Sequence, residues 1–517
     1  MGLNSARIEV RLIVDLRSSI FLTAVSLISF SVFRFSYSYI SSYKFFSRFT
    51  LLLFIFVLSI VILIFSANLI FVILGWDGLG VSSYLLVVYY GRTKSYNAGI
   101  LTVMSNRLGD AALLFRIALI LQSGSWNIIF YKDMILTSLY FPLLLSLGAF
   151  TKSAQIPFRA WLPAAIAAPT PVSSLVHSST LVTAGVYLLF RNFSDLLFNR
   201  VQNLIIFLGI RTIVIARVAA INEKDIKKMV ALSTLRQLGL IVTRLGCKWV
   251  FMRFFHLIIH AFFKAIIFIS VGNLIHLSQS YQALKNRGSL RMRGPLNRTT
   301  LIIARIRLCG APFAAAFFSK EPIVEAALHR STHAGVVVLV ILSLYLTLMY
   351  RFRLLKLVAS NYIGLRPILV LNEEDPLLVK GILVLMIPSF TRGSILSAII
   401  IRTPFSGLYV RRAKMLIFLR FSTGALVLAW RKFRVYYTGQ FRCYPMWSLT
   451  LFTASLFNFK QQPLSWWFSR SNFRLILSNY ISSIEILSVF NTSLISTQFI
   501  IRSLSIIPLF IRLRLVL

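Results

Sequence analysis

The sequence predicts an all-α polytopic membrane protein of about 12–15 transmembrane helices, some of them broken. Hydrophobic residues make up 57% of the 517, and the mean hydropathy is +0.80. Apolar runs long enough for a helix to cross a bilayer, about 20 residues each, recur along the chain. The third observation is the stretch 148–190, which is apolar at both ends. It holds Lys152, His177, six hydroxyl residues between Thr170 and Thr180, and the prolines Pro157, Pro163, Pro169 and Pro171. Proline removes a backbone donor and clashes with the preceding turn, so this stretch is not one straight helix. Broken helices at membrane depth survive only where protein or a water-filled cavity satisfies the freed backbone groups. Ionisable residues at that depth are costly and mark function. In secondary transporters such interruptions lie on the ion path. The starting expectation is a proton or cation translocator.

The elements follow in order. Residues 1–18 are short and charged, with no clean apolar segment of the kind a cleavable signal carries. A first span is expected at 20–35 and a strong one at 50–74. The segment 75–90, GWDGLGVSSYLLVVYY, opens on glycines that suggest a turn holding Asp77. A span at 98–121 contains Asn106, Arg107 and Asp110, residues that more often stitch helices together than carry ions. The broken region 139–190 follows. Spans at 203–220 and 229–245 flank the charged loop 222–228, and 250–277 is a long helix with His256, His260, Lys264 and His276. Residues 278–298 read as a basic loop, and 300–318 as an apolar run ending at Lys320 and Glu321. Later spans are expected at 334–350, 378–401 and 415–430, with a polar connection at 360–375. Residues 431–474, with Trp447, Trp466 and Trp467, read as an amphipathic interfacial stretch. The last apolar run is 487–510. The regions 148–190 and 250–277 suggest a pair of broken segments in related halves.

Three cysteines, Cys247, Cys309 and Cys443, exclude a disulfide framework and form no metal-spaced pair. The formal charge of +41 ordinarily points to nucleic acid or anionic lipid. Here the arginines are scattered within apolar runs (Arg34, Arg116, Arg211, Arg217, Arg236, Arg305, Arg392 and Arg402 among them), with only 14 acidic residues to pair with. Each arginine at a helix centre costs about 2.5–3.5 kcal/mol on insertion scales. Such a load is not that of a working membrane sequence, and it does not describe a nucleic-acid binder.

Two constellations carry chemistry. His256, His260 and Lys264 are four residues apart, which stacks them on one face over about two turns. Such a stripe suits a proton relay, since histidine titrates near neutrality. The pattern also suits packing histidines, or a zinc pair, though no thiol or carboxylate stands nearby to complete a metal site. Asp77 and Lys152 are each costly alone and tolerable as a pair. If the two can separate, each charge sets the other's proton affinity and the pair is a switch; if not, it is a static salt bridge. Lys320, at the junction of an apolar run and a polar turn, reads on its own as a snorkelling anchor.

The motifs then point to a family. LGWDGLGVSSYLLVVYY (74–90), KSYNAGILTVMSNRLGDAALL (94–114), KSAQIPFRAWLPAAIAAPTPVSSLVHSSTLVTAGVYLL (152–189), DIKKMVALSTLRQLGL (225–240), FFHLIIHAFFKAIIF (254–268) and LCGAPFAAAFFSKE (308–321) run in family order. They resemble the subunit 5 family of mitochondrial NADH:ubiquinone oxidoreductase, the antiporter-like subunits of respiratory complex I, in an invertebrate-type wording. Residues 322–517 match in hydropathy and layout only. The resemblance implies inverted five-helix repeats similar to those of cation/proton antiporters, and a lateral helix within 431–487. It implies an N-terminal region at 1–48, shortened relative to the family, and a translocating core at 49–330. Distal helices at 331–430 and the lateral helix with a final span at 431–517 complete it. Asp77 falls on the acid and Lys152 on the lysine of the family's acid–lysine pair, and His177 on the histidine of the broken helix. His256, His260 and Lys264 match the central axis, and Lys320 the terminal lysine. It implies proton translocation across the inner mitochondrial membrane, in contact with the bilayer and the other membrane-arm subunits, with no nucleic acid. NADH, FMN, iron–sulfur clusters and ubiquinone would be bound by other subunits, with no cofactor or metal in this chain. A stand-alone sodium/proton antiporter would use the same motifs, and an inactive scaffold or degenerate copy is the third reading.

The resemblance also bears on the arginines. PFRAWLP, STLRQLG, MYRFRL and FTRGS carry arginine where the family usually has serine. Invertebrate mitochondria usually read AGA and AGG as serine, and AAIAAP has isoleucine at Ile166 where methionine is usual, as ATA read by the standard code would give. On this reading Arg159, Arg236, Arg351 and Arg392 are serine in the natural polypeptide, whereas Arg107, Arg191 and Arg353 match family arginines.

Overall fold

The structure, a computed structural model, describes residues 10–120 (less 42 and 44), 140–192, 199–246 (less 224), 250–277, 295–309 and 376–400, with the isolated residues 2–3, 6–7, 126 and 282. The chain divides into two compact units, Met1–Thr450 and Leu451–Leu517, and every described residue lies in the first. Lys320, the spans expected at 334–350 and 415–430, the connection at 360–375 and everything from 401 onward lie outside the described residues.

The described residues are almost wholly helical. A two-residue hairpin, β1 (Gly2–Leu3) with β2 (Ala6–Arg7), precedes the first helix. α1 is Leu16–Ile40. Its N-terminus is fixed by Asp15, whose N–H donates to Ser18 Oγ at 2.8 Å and whose carboxylate takes Arg191 Nη1 at 3.0 Å. The strap before it hydrogen-bonds across 65–67, so the start of α1 is tied to the end of α2.

α2 (Phe46–Phe65) and α3 (Leu69–Val88) form a tight hairpin. The sequence had suggested one span at 50–74 and a glycine turn at Asp77. The break falls instead at 66–68, where Asn68 Oδ1 caps the new helix by accepting from the Ile70 N–H at 3.1 Å. Asp77 sits within a continuous helix. The glycines of GWDGLG serve packing: a Cβ on Gly75 would stand 2.8 Å from the Leu63 backbone nitrogen. Small residues at helix crossings in a membrane let backbones approach in this way.

α4 (Thr93–Ile120) packs on α3 and on α5 (Tyr140–Lys152). The broken region then unfolds as expected. Ala154 is left-handed at φ 53, α6 is the single turn Trp161–Ala164, a 3₁₀ turn spans Ala165–Ala167, and α7 is Thr170–Leu175 with a proline in its first turn. Next comes a π-turn, Val176–Thr180, and then α8, Leu181–Arg191. The π-turn strains the ordinary ladder, and the hydroxyl residues compensate. Ser178 and Ser179 donate to the Ser174 carbonyl, Ser179 and Thr180 to that of Leu175, and Thr183 to that of Ser179.

α9 (Asn199–Asn222) and α10 (Ile226–Gly246) form a second close hairpin, with Gly209 and Gly239 at the crossing. The charged loop is shorter than expected, because α10 begins at Ile226 and buries Lys227. α11 is Val250–Leu277, one uninterrupted helix. The suggestion that 250–277 is broken is therefore corrected: it contains no proline, and His256, His260 and Lys264 share one stripe of a continuous helix. α12 (Pro295–Cys309) and α13 (Pro376–Ile400) complete the described elements.

Six helices among the described residues are long and apolar enough to cross a membrane. Two of them, Thr170–Arg191 and Arg253–His276, are enclosed by protein throughout their apolar windows. α11 is packed by α1, α7, α8, α10, α12 and α13. The outer helices present large apolar side chains outward, such as Phe54 and Leu58 of α2, Phe115 of α4 and Phe207 of α9. Contiguous exposed apolar surface of this kind suits a lipid environment.

Candidate functional site

The polar residues gather where the enclosed helices meet the break after α5. Lys152 is the last residue of α5 and is wholly buried. Its ammonium donates to the carbonyl oxygen of Trp76 on α3 and lies 3.8 Å from the centroid of the Trp76 ring. The Trp76 indole N–H donates to Asp110 Oδ1 of α4 at 2.9 Å. Arg107 Nη1 reaches Asp110 Oδ2 at 3.4 Å, one helical turn away.

Asp77 and Lys152, expected as an ion pair, make no direct contact. Asp77 follows Trp76 by one residue, about 100° around the helix, so the side chain facing Lys152 is Trp76. The Asp77 Oδ1 atom is buried with no hydrogen-bond partner among the described residues. Asp110 and Asp77 both lie within electrostatic reach of Lys152. The pair becomes a cluster of one lysine, two acids and an arginine, with a tryptophan at its centre.

A second tryptophan leads onward. Trp161 of α6 donates its indole N–H to the Thr151 carbonyl at 2.8 Å, beside Lys152. Its ring stands edge-on to His177 at 6.1 Å. His177 lies in the π-turn, wholly buried, and neither ring nitrogen has a hydrogen-bond partner among the described residues. π-turns inside helices are frequent at functional sites.

The α11 stripe shares one helical face, as its spacing predicts, and lies wholly buried. The His256 and His260 rings are 6.3 Å apart, and His256 Nε2 is 3.3 Å from Gln237 Oε1 of α10. Lys264 donates to Ser233 Oγ, and to the Val230 carbonyl at 3.4 Å, both on α10. The metal reading of the histidine pair gains nothing: among the described residues no group of three or more His, Cys, Asp or Glu could hold an ion. Trp76, Trp161, Ser233 and Gln237 were not singled out from sequence. Asp110 does stitch helices, as expected, but the helix it joins is the one facing Lys152. The available signal was a tryptophan next to Asp77 in GWDGLG, and hydroxyl and amide residues four apart in STLRQ.

Arg116, Arg159, Arg217, Arg236 and Arg253 are among the largest wholly buried side chains. Arg236 and Arg159 are two of the four positions where serine was inferred. Arg392 belongs to α13, and Arg351 lies outside the described residues.

Fold and site together define an antiporter-like polytopic membrane protein: enclosed, interrupted helices carrying a buried acid–lysine cluster and a histidine–lysine stripe. Residues 66–347 match the family described as NADH:quinone oxidoreductase/Mrp antiporter, transmembrane. NADH-ubiquinone oxidoreductase chain 5 of Anopheles gambiae is 44% identical over 78% of this chain and 70% of its own length. The chain 5 of Locusta migratoria is 42% identical over 78% of this chain and 71% of its own. This chain belongs to that family, alongside relatives named NADH-ubiquinone oxidoreductase chain 5. Among solved structures, a chain of the Mrp complex from Dietzia sp. DQ12-45-1b superimposes with a TM-score of 0.70 at 20% identity, covering 97% of this chain and 55% of that one. A chain of the membrane-bound sulfane sulfur reductase, an archaeal respiratory membrane complex, gives 0.66 at 21% identity, covering 82% and 84%. At such identities these two likenesses speak for the fold alone.

Proposed function

We propose that this chain is a core membrane subunit of mitochondrial NADH:ubiquinone oxidoreductase that translocates protons across the inner mitochondrial membrane. The observation that carries the reading is the buried placement of Lys152, His177, His256, His260 and Lys264 on enclosed elements, where ionisable groups are costly unless they work. A change of charge at the Asp77, Asp110 and Lys152 cluster alters the field at the broken helix. The His256 and His260 stripe relays it to Lys264, and release proceeds by way of Lys320. Residues 49–330 form the translocating core. The redox chemistry, with NADH, FMN, iron–sulfur clusters and ubiquinone, belongs to other subunits, and the partners are the neighbouring membrane-arm subunits and the bilayer.

The test is a native gel of solubilised mitochondria stained for NADH dehydrogenase activity. The chain is expected in the large active band. Its presence only in a small inactive band would overturn the assignment. That outcome would favour the second reading, an independent sodium/proton antiporter, a kind of protein that the matching family's description also covers; sodium-dependent proton flux in vesicles would then be measured.

A further inference from the structure

Trp76 is wholly buried, and it touches both the Lys152 ammonium and the Asp110 carboxylate of the cluster. Its three contacts use three different parts of the residue. The indole N–H holds the Asp110 carboxylate, the ring face lies under the Lys152 ammonium, and the peptide carbonyl accepts from that ammonium. A filler residue of the same volume would need none of these. Hydrogen bonds with an ionised partner are roughly twice as strong as neutral ones, and a desolvated ammonium over an indole is a strong cation–π contact. Meanwhile Asp77, on the next residue, keeps a buried and bare Oδ1. The ammonium thus rests on Trp76 while one acid is held by the indole and the other keeps one oxygen without a hydrogen-bond partner among the described residues.

We propose that Trp76 is a positioning residue of the acid–lysine switch, a rest that holds the Lys152 ammonium off the open Asp77 carboxylate while fixing Asp110. The inference rests on the translocation reading given above. It divides the switch into two arrangements: ammonium on Trp76 with Asp77 bare, and ammonium on Asp77 with the Trp76 face vacated. A nearby charge that repels the ammonium from one position moves it to the other. The residue adds no proton of its own. It sets which partner the lysine meets.

The experiment uses the assembled oxidoreductase in sealed vesicles, comparing protons moved with NADH oxidised. Lys152→Met and Asp110→Asn establish that the cluster matters. Trp76→Leu removes the ring and the N–H, and Trp76→Phe restores the ring face alone. The expected result is a lowered proton-to-electron ratio in Trp76→Leu, a partial recovery in Trp76→Phe, and no further loss when Trp76→Phe is added to Asp110→Asn. If Trp76→Leu fails to assemble, the Phe variant and its combination with Asp110→Asn decide. A normal ratio in Trp76→Phe, or losses from Trp76→Phe and Asp110→Asn that simply add, would overturn the positioning role while leaving the switch intact. A normal ratio in Lys152→Met would overturn the translocation reading itself, and the inference with it.

Discussion

At the residue scale, the cost of each buried charge decides what it is for. Lys264 sits wholly enclosed against Ser233 and Val230 of α10, with the histidines above it. Lys264→Met keeps the length of the side chain and removes the charge. Proton pumping should fall by an order of magnitude or more while the subunit still assembles, since removing a buried cation relieves desolvation. Normal stoichiometry in that variant would refute the role. The arginines make the opposite argument. Five of them among the described residues are wholly buried in an apolar bundle, at about 2.5–3.5 kcal/mol each on insertion scales. Serine at Arg159 and Arg236 removes that cost and adds to the hydroxyl-rich lining already provided by Ser233 and the π-turn. Trypsin digestion of the natural protein should therefore yield no cut after position 236, and fragment spectra should read serine there. An arginine in those spectra would end the idea. The stripe 256/260/264 was legible in sequence because helical spacing is periodic and local. The Asp110–Trp76–Lys152 contacts were not, because they join three helices and depend on which face of α3 turns inward.

At the scale of elements, glycine governs how closely helices approach. A Cβ on Gly109 would fall 2.1 Å from Thr151 Oγ1 and 3.2 Å from the Gly148 carbonyl oxygen. Gly109→Ala should push α4 from α5 at the turn that presents Lys152, costing about 1–3 kcal/mol as overpacking does. Less assembled complex in native gels is the expected reading. Gly80, on α3, has nothing within 4 Å of its Cβ position. Gly80→Ala should be tolerated, and intrinsic helix propensity favours it by about 1 kcal/mol. Equal effects of the two substitutions would show that the crossing does not depend on the missing side chain. This is also where the sequence misled. GWDGLG reads as a turn because glycine is the usual punctuation of soluble chains, whereas here the glycines are contact points and the turn falls at the polar 66–68. Prolines were the safer guide, and they marked the interruptions between 153 and 171.

At the scale of the whole molecule, the fold class was readable from hydropathy, because a bilayer imposes long apolar runs whatever their packing. The order of packing was not readable. Nothing in the composition of α11 says that it occupies the middle, with α1, α7, α8, α10, α12 and α13 around it. The bare nitrogens of His177 and the bare Asp77 Oδ1 among the described residues belong to this scale too. Buried polar groups need partners, and on the proposed translocation reading a water path would supply them. His177→Leu should therefore disturb packing little, at about 1.5 kcal/mol or less for a volume-conserving change, and slow proton flux markedly. Unchanged flux would place His177 among packing residues.

The enclosure of Arg253–His276 also bears on how the protein is made. A helix touched by protein on every side has no lipid-facing surface to hold it in the bilayer as it emerges. Its histidines and lysine need a polar seat from the moment of insertion. Chain order meets that need: α1, α7, α8 and α10 all precede α11 and form part of its wall before it is synthesised. The arriving helix completes a half-built socket, and α12 and α13 close it from the remaining sides. Biogenesis and conduction thus draw on the same surfaces, and a lesion in an early wall would show first as an arrested insertion intermediate, before any defect in pumping.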